Sequence, residues 1–256
     1  MNTAVGCVSF AERVDDMPRF FVDPVPGDHA RIGGQDAHHI ARVLRMRAGE
    51  SLMLCDGVGT DYRSIVETVV DGEVTVKILE RIPTQSEPSV RVTLYQGLPK
   101  SEKMDWIIQK CVEIGVDRVV PVAMTRSIVR LKPDEGTKKQ ARWQKIAAEA
   151  AGQSGRGCIP RVEAPLTLKQ ALQQLKSVPA VVFYEGGGQP LSQLVEKDMT
   201  ELAIVVGPEG GFDEAEIDLL KENGAQMATL GKRILRCETA PLVALSVIMQ
   251  LTENMN

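Results

Sequence analysis

Hydrophobic and polar residues follow two different patterns in the two parts of the chain. Up to residue 86, short apolar runs alternate with glycine-containing turns, which is typical of β-strands joined by tight connections. From Val90 onward, apolar runs alternate with longer segments of helical periodicity. The sequence therefore predicts a small β-rich domain at 17–86 and an α/β domain at 90–256, whose mainly parallel sheet is flanked by helices. A proline-containing linker is expected at 82–89.

The first part is expected to form a small barrel-like domain with one helix. Asp36 is predicted to cap this helix, which runs to Arg45. Turns that contain Gly57, Gly59 and Gly72 separate the later strands. The predicted strands are Arg19–Val22, Ser51–Cys55, Tyr62–Val70 and Glu73–Arg81.

In the second part, strands and helices are expected to alternate. The predicted strands are Val90–Gln96, Arg118–Val122, Ala180–Tyr184, Leu202–Val206 and Met227–Leu230. The predicted helices are one from the cap Ser101 to near Gly115, then Asp134–Gly152, Thr167–Leu175, Asp213–Asn223 and Thr239–Asn254. The last helix is apolar nearly all round, which indicates burial either within the core or between the core and a partner subunit.

Composition narrows the class of protein. Of 256 residues, 43% are hydrophobic and 25% charged, as in soluble globular proteins. Aromatic residues make up only 4%, which argues against broad stacking on exposed bases. The five cysteines are widely spaced without a CxxC pair, so neither a zinc site nor a disulfide framework is predicted. Reduced thiols of this kind favour a cytoplasmic protein.

Residues 1–16 carry neither a basic start nor a long apolar segment, so they do not resemble a secretion signal. They are expected to be a disordered extension. No apolar run reaches the length of about 18 residues that a membrane span needs.

Two glycine-rich loops are the strongest functional signal. Val206–Phe212 and Leu230–Ala240 each follow an apolar strand and lead into a helix. Ligands of parallel α/β sheets bind at the carboxyl ends of strands, and glycine lets a ligand approach the main chain. The loops therefore predict a small-molecule pocket, although a tight strand-to-helix turn also accounts for the first loop alone. The first loop has neither a GxGxxG pattern nor a P-loop lysine, and the chain lacks a GxSxG elbow.

Basic residues are concentrated in two places although the net charge is −4. Residues 118–145 contain eight lysines and arginines against two acids, as expected of a surface for a polyanion. His38 and His39 precede Arg42, Arg45 and Arg47, which favours a basic face towards phosphates. Adjacent histidines of a helix point in different directions, so no metal site is predicted there. An ordinary solvated face is the alternative in both places.

Several motifs, in this order and spacing, resemble one known family. They are Met17–Val22, Ala37-His38-His39 with Val43-Leu44-Arg45, Leu98-Pro99-Lys100, Asp105–Lys110, Arg126-Ser127, Gln153–Arg156, Gly207–Phe212 and Leu230–Ala240. From Met17 almost to the C-terminus, the chain is similar to the bacterial small-subunit ribosomal RNA N-3-uridine methyltransferases of the SPOUT superfamily. Two positions depart from the family pattern: Cys237 stands where threonine is frequent, and Gly152 where glutamate is frequent.

The resemblance implies S-adenosyl-L-methionine-dependent methylation of N-3 of a uridine in 16S ribosomal RNA. It implies a PUA-like RNA-binding domain, a C-terminal domain with a trefoil knot, a homodimer and no metal. The cofactor contacts would be Leu98, Glu185, Gly186, Val206, Gly207, Pro208, Glu209, Gly210, Gly211, Leu230, Gly231, Ile234, Leu235, Thr239 and Ala240. The RNA contacts would be Arg19, His38, Arg42, Arg45, Arg47, Arg126 and Arg130.

For catalysis, Arg236 is the first choice to stabilise negative charge on the uracil oxygens, and Arg233 the second. Glu238 is expected to orient an arginine, to accept the proton, or only to form a salt bridge. Cys237 is given no catalytic role. Three alternatives stay open: a non-enzymatic RNA-binding or ribosome-assembly protein, a methyltransferase for another atom or RNA, and a nucleotide-dependent α/β enzyme.

Overall fold

The computed structural model describes residues 17–70, 72–129 and 133–255. The chain divides into two compact units, of which the first ends at Gln85 and the second begins at Ser86. The predicted extension at 1–16 and the predicted RNA contact Arg130 lie outside the described residues.

The first unit is built on a five-stranded sheet. Its strands are β1 (Arg19–Phe21), β2 (His29–Ile32), β3 (Ser51–Cys55), β4 (Thr60–Val70) and β5 (Glu73–Pro83). The strand order is β1-β3-β4-β5-β2, in which β1 is parallel to β3 and the other pairs are antiparallel. Alternate residues of β4 and β5, such as Tyr62, Val66, Val74 and Val76, are buried in the core of this unit. The short strand β2 is absent from the prediction.

The predicted helix of the first unit differs from the prediction at both ends. A short helix, α1 (Gly34–His38), follows Gly33 and continues into a π-helical turn at His39–Val43. No side chain caps it, so the prediction of Asp36 as N-cap is wrong. Arg45 has a φ of 56°, in the left-handed region where a right-handed helix does not continue.

In the second unit, every strand pair among the described residues is parallel. The strands are β6 (Arg91–Gly97), β7 (Arg118–Ala123), β8 (Arg161–Val162), β9 (Leu166–Thr167), β10 (Ala180–Phe183), β11 (Gln189–Pro190), β12 (Glu201–Val206) and β13 (Gln226–Thr229). The helices are α2 (Lys103–Ile114), α3 (Pro133–Gln153), α4 (Leu168–Leu175), α5 (Glu214–Glu222) and α6 (Ala240–Leu251). The prediction of an α/β fold with a parallel sheet is confirmed, but the two-residue strands β8, β9 and β11 are absent from it.

The strand order of the second unit positions the functional loops. The order is β11-β13-β10-β12-β6-β7-β8, with β9 also paired to β7. Phe183, at the end of β10, is in register with Val206 of β12 and Ala228 of β13. Three strands that are distant in sequence therefore end side by side, and their loops leave the sheet from one edge.

Side-chain caps mark the beginnings of α4 and α5. Thr167 and Asp213 form capping boxes with Gln170 and Glu216. Ser101, in contrast, has a φ of 55° and no capping role, because α2 begins one residue after Glu102. The prediction of Ser101 as N-cap is therefore wrong.

Helix α6 buries one of its faces. Ala244, Leu245, Ile248 and Met249 are fully buried, and α6 packs against α2. Its remaining apolar residues are only partly buried; they are Leu242, Val243, Val247 and Leu251. The core therefore covers only part of this helix.

Candidate active site

A cavity of about 550 Å³ lies at the edge of the sheet where β10, β12 and β13 end. The loops after these three strands line most of it, and α2 contributes Lys103. Predicted cofactor contacts that line the cavity are Glu185, Val206, Gly207, Pro208, Glu209, Gly210, Gly211, Leu230, Gly231, Ile234, Leu235 and Ala240. The predicted catalytic residues Arg233, Arg236 and Glu238 line it as well.

Three predicted cofactor contacts are not among the residues that line this cavity. Leu98 lines a second cavity, of about 380 Å³, together with Trp143. Thr239 is the N-terminal boundary residue of α6. Gly186 follows Glu185 in a turn where a Cβ atom would lie 2.2 Å from the ring of Tyr184, so only glycine fits this turn without a shift.

Close packing leaves little room for a side chain at two positions of the first glycine loop and at the strand residue that faces it. A Cβ atom on Gly97 of β6 would lie 2.6 Å from Cδ of Pro208. On Gly210, a Cβ atom would lie 3.0 Å from Cβ of Arg126. Gly211 has a φ of 68°, and its Cβ atom would meet the Glu185 carboxylate at 2.4 Å. The loop therefore presents main chain, not side chains, at these points.

Hydrogen bonds and an aromatic contact hold the same loop in place. Gln96 is fully buried at the end of β6, and its Nε2 donates to the carbonyl oxygen of Gly207 at 3.3 Å. Arg126, a predicted RNA contact, donates from Nη1 to the carbonyl oxygen of Gly210 at 3.3 Å. Tyr184 and Phe212 pack edge to face with ring centres 6.4 Å apart, which joins the loop after β10 to the loop after β12.

Lys103 joins the two glycine loops through ion pairs. Its Nζ lies 3.2 Å from Oε1 of Glu209 and 3.1 Å from Oε2 of Glu238. Hydrogen bonding to Glu238 raises the pKa of Lys103 above its ordinary value, and the contact with Glu209 adds to this. Sequence reasoning missed Lys103, because it lies more than 100 residues before both partners and no local pattern marks it.

The two carboxylates of this network are held ionised. Partial burial alone would raise the pKa of Glu238, but backbone N–H groups, the Cys237 thiol and Lys103 lower it below its ordinary value. For Glu209, hydrogen bonds from backbone N–H groups, including that of Lys100 at 3.0 Å, and from Lys103 outweigh burial and lower the pKa. Both groups are therefore negatively charged at neutral pH.

Cys237 also lines the cavity, as a protonated thiol. Its Sγ donates to Oε2 of Glu238 at 3.2 Å, and the residue is buried. Burial, followed by the hydrogen bond to Glu238, raises the pKa of Cys237 to about 12. Since the thiolate is the nucleophilic form, the thiol is unreactive at neutral pH.

Basic residues form the open rim of the cavity. Arg236 is 84% exposed in its side chain, and its Nη1 lies 4.0 Å from Oε1 of Glu238. Lys232 and Arg233 are exposed on the same loop, and Ile234 between them and Arg236 is 87% exposed. The lining therefore carries three carboxylates, those of Glu185, Glu209 and Glu238, and four cations, of which Lys232, Arg233 and Arg236 lie on the exposed loop. Five further residues line the cavity although the sequence analysis assigned no site role to them individually; they are Phe183, Phe212, Ala228, Thr229 and Lys232.

The predicted RNA contacts of the first unit differ in their surroundings. His38, Arg42, Arg45 and Arg47 are all exposed. Arg19 is mostly buried instead, and its Nη2 donates to Oδ2 of Asp61 at 2.8 Å. This cation is already neutralised by a buried carboxylate.

Within the described ranges, no group of three or more histidine, cysteine or acidic side chains is arranged to hold a metal ion. None of the helices in those ranges is long and apolar enough to cross a membrane.

Comparison with known proteins gives matches to both units. Residues 86–249 match a family described as RNA methyltransferase domain, and residues 32–79 match a family described as RNA methyltransferase PUA domain. A Bacillus subtilis protein named ribosomal RNA small subunit methyltransferase E is 39% identical over 87% of this chain and 90% of its own length. A protein of the same name from Mycobacterium tuberculosis is 34% identical over 91% of each chain.

A solved structure extends this likeness to three dimensions. It is a ribosomal RNA small subunit methyltransferase E from Neisseria gonorrhoeae bound to S-adenosyl methionine. It superposes with a TM-score of 0.81 at 32% identity and covers 92% of this chain and 98% of its own.

Proposed function

The chain belongs to the RNA methyltransferase family that includes the ribosomal RNA small subunit methyltransferase E proteins, and we propose that it methylates N-3 of a uridine in 16S ribosomal RNA with S-adenosylmethionine as the donor. The observation that carries this proposal is the cavity built from three loops at one edge of the parallel sheet. The similar structure from Neisseria gonorrhoeae binds that donor, which supports the same ligand for this cavity.

The residues of the cavity fit S-adenosylmethionine. Its volume of about 550 Å³ is in the usual range of small-molecule sites. The carboxylates of Glu185, Glu209 and Glu238 line the cavity together with four cationic side chains, so the lining offers partners for both the sulfonium cation and the carboxylate of the donor. Gly207, Gly210, Gly211 and Gly231 line the cavity, so the adenosyl and methionyl parts can approach the main chain there.

Bound S-adenosylmethionine supplies an electrophilic methyl group, and the uracil nitrogen becomes a good nucleophile only when its proton leaves. The chain must therefore hold the base in line and stabilise the charge that develops on the two adjacent carbonyl oxygens. Arg236, exposed at the rim, is the first choice for this contact, and Arg233 is the second. Glu238 orients Arg236 in this proposal, because a carboxylate with a lowered pKa is a weak base at neutral pH.

For RNA, we propose contacts through both units. The exposed residues His38, Arg42, Arg45 and Arg47 suit phosphates, and the match of residues 32–79 to a PUA domain of RNA methyltransferases supports this role. Arg126 is proposed mainly to support the Gly210 loop and secondarily to contact RNA, since its guanidinium is already bonded to that loop. Arg19 is proposed to support the first unit through Asp61.

The organisation of the chain is proposed from the same family membership. Residues 17–86 would be a PUA-like domain that closes into a barrel, and 90–256 a methyltransferase domain with a trefoil knot. The order β13-β10-β12-β6, in which the chain returns between earlier strands, supports the knot. The partly buried apolar residues of α6 support a homodimer. A cytoplasmic location follows from a ribosomal RNA substrate.

The test of the function is methyl transfer by the purified protein to small-subunit RNA, free and in assembled subunits, with a labelled donor. The modified nucleoside is then identified after digestion. N-3-methyluridine is the expected product. Methylated ribose or another methylated base would show that the acceptor is not N-3 of uridine. If no product forms and the donor does not bind, the protein is better explained as a non-enzymatic RNA-binding protein.

A further inference from the structure

Lys103 lines the cavity, although α2 supplies no other lining residue within the described ranges. It is the first residue of that helix. Its ammonium contacts one carboxylate from each glycine loop, Glu209 at 3.2 Å and Glu238 at 3.1 Å. The Lys103 ammonium thus lies between the two glycine loops, both of which line the cavity.

The Lys103 ammonium offsets the repulsion between two neighbouring carboxylates. Glu209 and Glu238 both contact the same nitrogen, so their carboxylates are near neighbours and repel each other when the cation is removed. The same turn adds a second link, because the backbone N–H of Lys100 donates to Oε1 of Glu209. The segment from Lys100 to Lys103 therefore contacts the first loop through Glu209 twice, and the second loop through Glu238 and, at 4.0 Å, the Cys237 sulfur.

We propose that Lys103 is a positioning residue that joins the two glycine loops around the methyl donor and fixes Glu238 beside Arg236. This inference rests on the proposed function, because it assigns Lys103 to the donor site of that reaction. Lys103 does not act on the base in this proposal. It acts through Glu238, whose second oxygen, Oε1, lies 4.0 Å from Nη1 of Arg236.

Removal of Lys103 has a consequence for pH that a purely structural role lacks. Glu238 faces Lys103, the Cys237 thiol and the Arg236 guanidinium, and Glu209 faces it across the lysine. Without Lys103, Glu238 loses a cation that favours its ionised form and keeps Glu209 as an acidic neighbour. The pH at which Glu238 becomes protonated therefore rises, and the acid limb of kcat/KM should move to higher pH.

The experiment compares Lys103→Met and Lys103→Arg with a matched control. Lys110→Met is that control, because Lys110 lies on the same helix, is 35% exposed against 33% for Lys103, and pairs with Glu113 away from the cavity. Donor affinity is measured by calorimetry, methyl transfer as a function of pH, and folding by thermal unfolding. Lys103→Met should lower kcat/KM by about tenfold or more and weaken donor binding, as expected for misplaced reacting groups. Lys103→Arg should recover part of both losses, and Lys110→Met should match the unchanged protein.

Each outcome decides between the two proposals. Unchanged donor affinity and an unchanged acid limb in Lys103→Met would overturn the role of Lys103 and leave the proposed function intact. Failure of the unchanged protein to bind the donor or transfer methyl would overturn both. Should Lys103→Met unfold, Glu209→Gln breaks the link to the first loop and leaves Lys103 beside Glu238. Weaker donor binding without a shift of the acid limb to higher pH supports the proposal, and unchanged binding contradicts it.

Discussion

The buried guanidinium of Arg156 donates from Nε to Oε2 of Glu87 at 3.1 Å. The same guanidinium donates from Nη1 to the carbonyl oxygens of Val112 and Val116, and only 6% of Arg156 is exposed. This pair attaches the first residues of the second unit to the end of α2, although Glu87 falls in a segment that the sequence predicts as a linker.

Replacement of Arg156 should destabilise the second unit strongly. In Arg156→Met, the Glu87 carboxylate and two carbonyl groups lose a buried partner, which costs about 3–5 kcal/mol for a broken buried pair. Urea unfolding of the whole protein measures this loss. Arg161→Met is the control, because Arg161 lies nearby in sequence with a 73% exposed side chain, and a loss of equal size there would contradict the argument.

Arg236→Ala should lower turnover far more than donor affinity. The side chain is at the rim and is proposed to meet charge that develops only during the reaction, so its loss should cost about a hundredfold in kcat. Calorimetry measures the donor affinity, and initial rates at saturating substrate give kcat. Arg91→Ala, which removes another exposed arginine paired with Glu201 at the opposite ends of β6 and β12, should leave both unchanged. Near-normal turnover in Arg236→Ala would remove Arg236 from the mechanism.

Gly210→Val should abolish measurable donor binding. A Cβ atom at this position would already lie 3.0 Å from Cβ of Arg126, so a branched side chain must displace the loop or fill the cavity. Overpacking of this kind costs about 1–3 kcal/mol, and displaced main-chain groups add to the loss of affinity. Gly27→Val, where a Cβ atom meets nothing within 4 Å, is the control for calorimetric titration.

Cys237 should resist alkylation until strongly alkaline pH. Because its pKa is raised to about 12, the thiolate is scarce at pH 8, and its reaction with iodoacetamide should increase only as the pH approaches that value. Mass spectrometry of the digested protein measures the alkylated fraction of Cys237 at each pH. Cys237→Thr should keep methyl transfer within about threefold, since hydroxyl and thiol both donate to Glu238. Rapid labelling of Cys237 at pH 8 in the folded protein would contradict the buried, protonated thiol.

Arg42→Gln should weaken RNA binding without affecting the donor site. Loss of one phosphate contact reduces the slope of log affinity against log salt concentration by about one, and the effect should be similar for different RNA sequences. Binding titrations at several salt concentrations measure the slope. Arg63→Gln, which removes an arginine of the same unit paired with Glu80, is the matched control. An unchanged slope in Arg42→Gln would exclude Arg42 from the RNA surface.

The sequence predicts the elements of the cavity better than it predicts their partners. An apolar run followed by a glycine turn is a local signal, so β12, β13 and their loops were predictable within one or two residues. Asp36 and Ser101 were wrong as caps because a residue type that favours capping does so only with the right backbone, and Ser101 is left-handed. Lys103 was missed because its role depends on two residues that only the folded sheet brings near.

The register of Phe183 with Val206 and Ala228 also determines when the site can exist during folding. Each wall of the cavity belongs to a strand that is separated from its neighbours by a helix or a long loop, so no wall forms by local contacts alone. A chain still emerging from the ribosome has no donor site until β13 has paired with β10 and the residues up to Ala240 are free to fold. Donor binding therefore requires that β13 has already paired with β10. During refolding, the appearance of donor binding indicates that the strands of the second unit have reached their final order.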